Sequence, residues 1–148
     1  MTIVRASVQG AAEAQSYQDW TSVTLRFGDT DQLGHVNNAV YATLFESGRC
    51  DFCLGLFQTA NESGRLFTLA RVAIDFVQEM HFPGDARVGT RVLAVGKSSF
   101  TLGQAIFKDG VCHSVADSVL VLIDQKTRRS TPLTAELLDM IKSLRRSD

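Results

Sequence analysis

The sequence predicts an α+β domain in which an antiparallel sheet curls around one long helix. Three observations predict this class: several segments in which apolar and polar residues alternate, one segment with apolar residues at three- and four-residue spacing, and an Asp-Gly pair between two alternating segments. Consecutive strands joined by tight turns form antiparallel sheets. No repeat or linker divides the chain, so residues 1–148 are predicted to be one domain, with 1–16 as a loosely ordered extension.

The first half of the chain predicts a strand, a polar loop and the long helix. Residues 20–27 alternate between apolar and polar, as in a strand with one buried face. Beyond Asn38 the apolar face of a helix is formed by Tyr41, Leu44, Phe45, Gly48 and Phe52. Gly55 is predicted to end this helix, and residues 55–68 to form a connecting loop.

The second half predicts four strands and a short helix. The strands are expected over residues 71–79, 87–95, 99–107 and 111–123. Asp109-Gly110 predicts a hairpin, because a type I′ turn needs positive φ at both central residues. Thr131-Pro132 or Thr134 is predicted to cap a terminal helix that runs through Leu144.

Composition and charge exclude several classes of protein. Hydrophobic residues make up 45% of the chain and charged residues 21%, which is typical of a globular domain. The net charge of −1 gives no general attraction to nucleic acid or to an anionic membrane, and neither is expected as a partner. No apolar stretch approaches the ~20 residues of a membrane span. The start lacks the apolar run of a signal peptide, and the odd number of cysteines favours free thiols, which together predict a cytoplasmic protein.

The most informative segment is RFGDTDQLGHVNNAVYATLFESGR, residues 26–49, which crowds polar side chains against the start of the helix. Asp29, Asp31 and His35 do not have the spacing of a known metal site, and no metal ligand is expected. Cys50 and Cys53 have no second cysteine pair and are predicted to fill packing space on the helix.

Helix capping explains only part of this segment. Asn37 or Asn38 suits an N-cap and Gly34 suits the turn before it, but Asp31 is left without a role. A helix N-terminus offers free N–H groups that can hold a developing oxyanion. A nearby carboxylate can attack a carbonyl or activate water. These two groups suffice to cleave a thioester, because a thiol with a pKa of about 8.5 departs as thiolate without a strong general acid.

The segment resembles the signature of the hotdog-fold thioesterases, in the branch similar to 4-hydroxybenzoyl-CoA thioesterase. The pattern D-x-x-G-H-V-N-N-x-x-Y is matched by Asp31, Gly34, His35, Val36, Asn37, Asn38 and Tyr41. The resemblance extends over residues 20–141, with a weaker match in DFVQEMHFPGDARVGTRVLAVGKSSF. It implies a curved sheet of about five strands around one central helix and a cofactor-free acyl-CoA thioesterase. It also implies subunits paired edge to edge as a homodimer or homotetramer, with active sites at the interface.

The resemblance also implies roles for single residues. Asp31 falls on the catalytic carboxylate, as nucleophile or general base, and the N–H of Asn38 on the donor that polarises the thioester carbonyl. His35 either contacts that carbonyl or fixes the loop. Substrate contacts are implied for Gly34, Asn37, Tyr41, Lys97 and Ser99. Packing in the core explains Tyr41 equally well, and an ordinary solvated lysine explains Lys97 nearly as well.

Two further acidic residues and one rival function complete the predictions. Asp29 is predicted to order the loop through Arg26, rather than to act on substrate. Glu46 lies where another hotdog branch has a glutamate base, but it is predicted to pair with Arg49 on the solvent side of the helix. The rival function is an acyl-CoA-binding module without catalysis, which has no need of a carboxylate at position 31.

Overall fold

A computed structural model describes residues 10–145. Three helices and five strands form the domain: β1 Asp19–Thr24, α1 Asn38–Phe52, α2 Leu54–Glu62, β2 Arg65–Phe76, β3 Asp85–Val95, β4 Ser99–Lys108, β5 Val111–Asp124 and α3 Ala135–Leu144. The strands form one antiparallel sheet in the order β1-β3-β4-β5-β2. This curved sheet with its long central helix is the hotdog fold, so the predicted fold class is confirmed.

Helix α1 lies against the sheet because its apolar face packs on a cluster of buried apolar residues from the strands. Tyr41, Leu44 and Phe45 are buried in it, with exposed fractions of 3% or less. Gly48 allows the closest approach, since a Cβ there would lie 2.5 Å from Cγ1 of Val88. Buried Gln104 donates from Nε2 to the carbonyl of Phe45 at 3.1 Å, which ties the helix to β4. Apolar packing and this hydrogen bond together fix the position of α1 over the sheet.

Two predicted signals at turns and caps are confirmed. Asp109 and Gly110 have φ of 52° and 78°, so both central residues of the β4–β5 hairpin are in the left-handed region. Thr134 is the N-cap of α3, and its hydroxyl accepts a hydrogen bond from the N–H of Leu137 at 3.2 Å. Both elements are therefore set by local residue chemistry.

The predicted end of the long helix and the loop after it were wrong. The chain only bends at Cys53 and continues as α2, with Gly55 inside the helix. Leu56 and Ala60 are buried against the sheet, and this packing outweighs the low helix propensity of one glycine. The turn to β2 comes at Gly64, whose φ is +76°. Strand β2 then begins at Arg65, six residues before the predicted start.

The first strand is shorter than predicted. It ends at Thr24, and Phe27 starts a 3-10 turn, Phe27–Asp29, instead of continuing the strand. The side chain of Phe27 is 77% exposed, so it does not extend the buried face. Hydrogen bonds between Arg26 and Asp29 favour the turn over the extended conformation.

Strand β2 forms one edge of the sheet, and a bulge within it changes which residues point toward α1. The pairing of β2 with β5 shifts between Leu69 and Arg71, which leaves Ala70 as an extra residue. Leu69 and Val72 consequently both lie toward α1, and they are 41% and 39% exposed. This edge is therefore long and apolar, a combination that invites pairing with another chain.

Residues 10–17 lie on the outer face of the sheet. Ala11 and Tyr17 are buried there, and the hydroxyl of Tyr17 donates to the carbonyl of Ala11 at 2.7 Å. Residues 1–9 of the predicted extension fall outside the described residues. Among residues 10–145, no helix is long and apolar enough to cross a membrane.

Candidate functional site

The loop before α1 is folded back on itself as a short two-stranded ladder. Thr30 pairs with Val36 as an isolated β-bridge. On one side of this pair the N–H of Asp31 donates to the carbonyl of His35 at 3.1 Å. On the other side the N–H of Asn37 donates to the carbonyl of Asp29 at 2.9 Å. The ladder holds Asp31 at a fixed position relative to the start of α1.

Gly34 closes the end of this ladder. Its φ is +85°, a conformation that other residues rarely adopt, and its N–H donates to the carbonyl of Asp31 at 3.0 Å. A Cβ at Gly34 would have no atom within 4 Å, so the backbone conformation rather than space requires glycine. The role of Gly34 that the structure shows is in the turn, and its predicted contact with substrate stays a prediction.

The carboxylate of Asp31 is half-buried and anchored through one oxygen. Oδ1 accepts a hydrogen bond from the N–H of Leu33 at 2.9 Å, which fixes the side chain within the turn. Oδ2 has no hydrogen bond within the described part of the chain. One oxygen therefore orients the group, and the other is available to a carbonyl carbon or to water.

The first turn of α1 leaves one donor free beside this loop. Asn37 is the N-cap, and its Oδ1 accepts from the N–H of Ala39 at 3.0 Å. The N–H of Val40 donates to the carbonyl of Asn37. The N–H of Asn38 has no such acceptor within residues 10–145, as expected for the first residue of a helix. A free N–H is therefore present where the sequence predicted the donor, and its contact with a thioester carbonyl stays a prediction.

Asp29 orders the loop, in keeping with the prediction made for it. It is 5% exposed, and its carboxylate accepts from the N–H of Arg26 at 2.7 Å and from the guanidinium at 2.8 Å. The hydrogen bonds from the Arg26 side chain hold the pKa of Asp29 below its ordinary value. Because both oxygens of Asp29 accept hydrogen bonds from Arg26, its role in the loop is structural.

The segment between β2 and β3 supports the loop from the other side, a contact that the sequence reasoning missed. Met80 accepts a hydrogen bond from the N–H of Val36 at 2.8 Å. Nδ1 of His81 lies 3.1 Å from the carbonyl of Gly34, and its ring packs edge-on against that of His35 at 6.3 Å between centroids. Some 45 residues separate these partners in sequence, so no local pattern indicates the contact.

Tyr41 is packed in the core beneath the site. It is 2% exposed, and its ring meets that of Phe76 edge-on, with 5.2 Å between centroids. Burial raises the pKa of its hydroxyl, which a hydrogen bond with the backbone of Met80 partly offsets. These contacts fit the core role that the sequence left open, and contact with an acyl group stays a prediction.

Lys97 and Ser99 lie at the other end of the sheet from Asp31. The ladder and α1 begin beside the first residues of β3, whereas Lys97 follows its last residue, and eleven residues of strand span roughly 33 Å. Lys97 is exposed in the β3–β4 turn, where its carbonyl accepts from the N–H of Leu133 at 2.9 Å. One subunit alone does not bring these residues to Asp31.

Arg49 is buried, and the predicted solvent-side pair with Glu46 was wrong. The residue is 6% exposed, and Nη1 has no hydrogen-bond partner among residues 10–145. The helix face that carries Arg49 turns toward the edge strand β2 instead of toward open solvent.

The cysteines show no reactive or metal-binding arrangement. Cys53 is buried, as the packing interpretation predicted, and burial raises the pKa of its thiol to about 12. Cys50 is exposed and does not fill space in the core. Within residues 10–145, no three His, Cys, Asp or Glu side chains form a group that could hold a metal ion.

The sequence of residues 25–141 matches the thioesterase-like superfamily. The chain belongs to this superfamily. Similar solved structures include a predicted thioesterase from Bacillus stearothermophilus, 27% identical with a TM-score of 0.79, over 87% of this chain and 97% of that one. A thioesterase from Thermus thermophilus, complexed with coenzyme A and Zn, is 28% identical with a TM-score of 0.74, over 84% and 92% of the two chains.

A curated relative matches only part of the chain. The uncharacterized protein YsmA of Bacillus subtilis strain 168 is 28% identical over 87 residues. These residues span 59% of this member of the superfamily and 59% of the length of YsmA.

Proposed function

We propose that this protein is an acyl-CoA thioesterase in which Asp31 is the catalytic carboxylate. The observation that carries the proposal is the half-buried carboxylate of Asp31, which has one oxygen without a hydrogen bond among residues 10–145 and lies on the loop that leads into the N-terminus of α1 at Asn38. Asp31 pairs with His35 across the ladder, so the interval between the backbones of Asp31 and Asn38 is three residue steps, or roughly 10 Å. The interval fits a thioester whose carbonyl oxygen accepts from Asn38.

The chemistry needs one nucleophile, one electrophilic donor and a good leaving group. In one route Asp31 attacks the carbonyl carbon, the C–S bond breaks to give CoA thiolate, and water hydrolyses the resulting anhydride. In the other route Asp31 takes a proton from water as the water attacks. Both routes end in free acid and CoA, and both form a negative charge on the carbonyl oxygen, which the N–H of Asn38 and the helix N-terminus stabilise.

The cations at the far end of the sheet suit the nucleotide of CoA. Lys97, Lys126, Arg128 and Arg129 are all exposed there, although the net charge of the chain is only −1. Antiparallel pairing of two β2 edges would place this end of one subunit beside the Asp31 end of the other. We therefore propose a homodimer, or a homotetramer built from two such dimers, in which each substrate contacts both subunits of a dimer. We also propose a cytoplasmic location, because free cysteines persist in a reducing compartment.

The proposal is tested by replacing Asp31 with Asn, which keeps Oδ1 as an acceptor for Leu33 but removes the charge. We expect turnover on the best acyl-CoA to fall at least ~100-fold, the usual scale for a lost acid–base group, with the fold unchanged. Asp109→Asn is the matched control, since this residue is exposed in a turn that favours Asn. The measurement is thiol release over a panel of acyl-CoAs. Near-normal turnover of Asp31→Asn would contradict the assignment.

The same assay separates this proposal from the rival function. A binding module without catalysis would show acyl-CoA binding in calorimetry but would release no thiol from any member of the panel. For the proposed enzyme, Asp31→Asn should still bind acyl-CoA while its turnover falls.

A further inference from the structure

The side of the molecule formed by α1 and the edge strand β2 carries an unusual charge arrangement. A cavity of about 160 Å³ opens between the two elements. Its lining residues are Ala42, Thr43, Glu46 and Arg49 from α1 and Leu69 and Val72 from β2. The β2 side chains and Glu46 are exposed, whereas Arg49 is not. A largely apolar wall thus contains one exposed carboxylate and one enclosed guanidinium.

Arg49 has no ion pair among the described residues, although Glu46 lies near enough to act on its charge. Its side chain is nine-tenths buried, and Nη1 has no hydrogen-bond partner among the described residues, Glu46 included. Burial lowers the pKa of the guanidinium, which reflects the cost of removing this charge from water. Buried charges in native proteins are normally paired, so this geometry points to a carboxylate from outside residues 10–145.

A second copy of the chain is the partner that fits this surface. In a two-fold contact, if residue i of one subunit meets residue j of the other, then j also meets i. Glu46 and Arg49 are one helical turn apart, so the surface is complementary to itself. A free anion fits less well, because Glu46 lines the same cavity and would repel it. The apolar edge of β2 beside the cavity, which no other strand among residues 10–145 covers, also favours another chain.

We propose that Glu46 of each subunit forms an ion pair with Arg49 of the other, so that two reciprocal pairs lock the α1–β2 surfaces together. This inference rests on the edge-to-edge assembly proposed above and names the residues that specify it. The pairs would remove the unpaired charge from Arg49 and set the register of the two helices.

Charge reversal with mixing of chains tests this directly. Glu46→Arg and Arg49→Glu each place like charges in both contacts of a homodimer, so each variant alone should dimerise at least ~100-fold more weakly than the unmodified chain. In an equal mixture, every contact between the two variants joins opposite charges, and dimer affinity should return to within ~10-fold of the original. If Glu46 and Arg49 paired within one chain instead, mixing the two variants would not restore dimer affinity. Sedimentation velocity with one variant fluorescently labelled measures the heterodimer.

The matched control is Glu62→Arg, which reverses an exposed charge at the end of α2 and should not change dimerisation. A second variant removes the risk that Arg49→Glu does not fold. Arg49→Lys keeps the charge, and a carbodiimide should join the new amine to Glu46 of the other chain as an amide. A covalent dimer with that cross-linked peptide is expected, and it should be absent when Glu46→Gln is added.

The outcomes separate this inference from the proposed function. If the unmodified chain is a dimer but mixing gives no rescue and no 46–49 cross-link joins two chains, the reciprocal pairs are refuted while assembly and catalysis stand. If the unmodified chain is a monomer that hydrolyses acyl-CoA, the inference and the edge-to-edge assembly are both refuted, and the assignment of Asp31 is unaffected.

Discussion

Gly48 provides a quantitative test of how closely α1 packs on the sheet. A Cβ built at this position lies 2.5 Å from Cγ1 and 3.1 Å from Cβ of Val88, and 2.9 Å from Nε2 of Gln104. Val is stiff at χ1, and Gln104 is held by hydrogen bonds to Phe45 and Thr90. The methyl group of Gly48→Ala therefore has to push the helix away from β3 and β4.

The expected loss of stability in Gly48→Ala follows from comparison with a second helical glycine. At Gly55 an added Cβ would meet only Cε of Met140, at 4.0 Å. Gly55→Ala should therefore gain most of the roughly 1 kcal/mol by which Ala exceeds Gly in helix propensity. Gly48→Ala gains the same propensity, but overpacking of a core typically costs about 1–3 kcal/mol. The difference between the two variants should thus be about 1–3 kcal/mol, with Gly48→Ala the less stable.

Thermal unfolding followed by circular dichroism measures this difference. For a chain of this length, about 1 kcal/mol shifts the midpoint by roughly 2–4 °C, so Gly48→Ala should unfold about 2–12 °C below Gly55→Ala. Equal midpoints, or a higher midpoint for Gly48→Ala, would show that α1 is not held as close to Val88 as the structure indicates.

Two further predictions concern pH and the CoA nucleotide. Arg26 holds the pKa of Asp29 below its ordinary value of 3.8, so the ion pair should stabilise the fold above that pH and lose its effect as the pH falls through the lower pKa of the folded state. Asp29→Asn should remove this part of the pH dependence of the unfolding midpoint. Identical acid profiles for the variant and the unmodified chain would contradict this prediction. Lys97→Ala should raise KM for acyl-CoA several-fold with kcat nearly unchanged, since a wet lysine–phosphate contact is worth roughly 1 kcal/mol in ground and transition states alike. Hydrolysis of a short acyl thioester without a nucleotide should be unaffected, and an equal loss on both substrates would exclude a phosphate contact.

The sequence by itself determined the elements whose cause is local. Asp109-Gly110 set the hairpin because both residues tolerate positive φ, and Thr134 set the start of α3 through its hydroxyl. The apolar spacing of Tyr41, Leu44 and Phe45 identified the buried face of α1. Alternation along four later segments predicted the strands and thereby the antiparallel sheet, since the period of two is a local property of extended chain.

Tertiary structure decided what depends on neighbours distant in sequence. Gly55 was predicted to end the helix, but burial of Leu56 and Ala60 against the sheet stabilises helical structure beyond it. The support that His81 gives to the carbonyl of Gly34 joins segments whose spacing carries no signal.

Charged residues show most clearly that a local pattern does not determine the surroundings of a side chain. The i to i+3 spacing of Glu46 and Arg49 correctly indicates one helix face, but it does not say whether that face meets water or another surface. Only the position of α1 beside the edge strand β2 shows that Arg49 is enclosed, with Nη1 lacking a hydrogen-bond partner among residues 10–145. Likewise, the separation of Lys97 from Asp31 follows from the length of β3 and not from either motif. Burial and distance are properties of the assembled sheet, and a local pattern does not contain them.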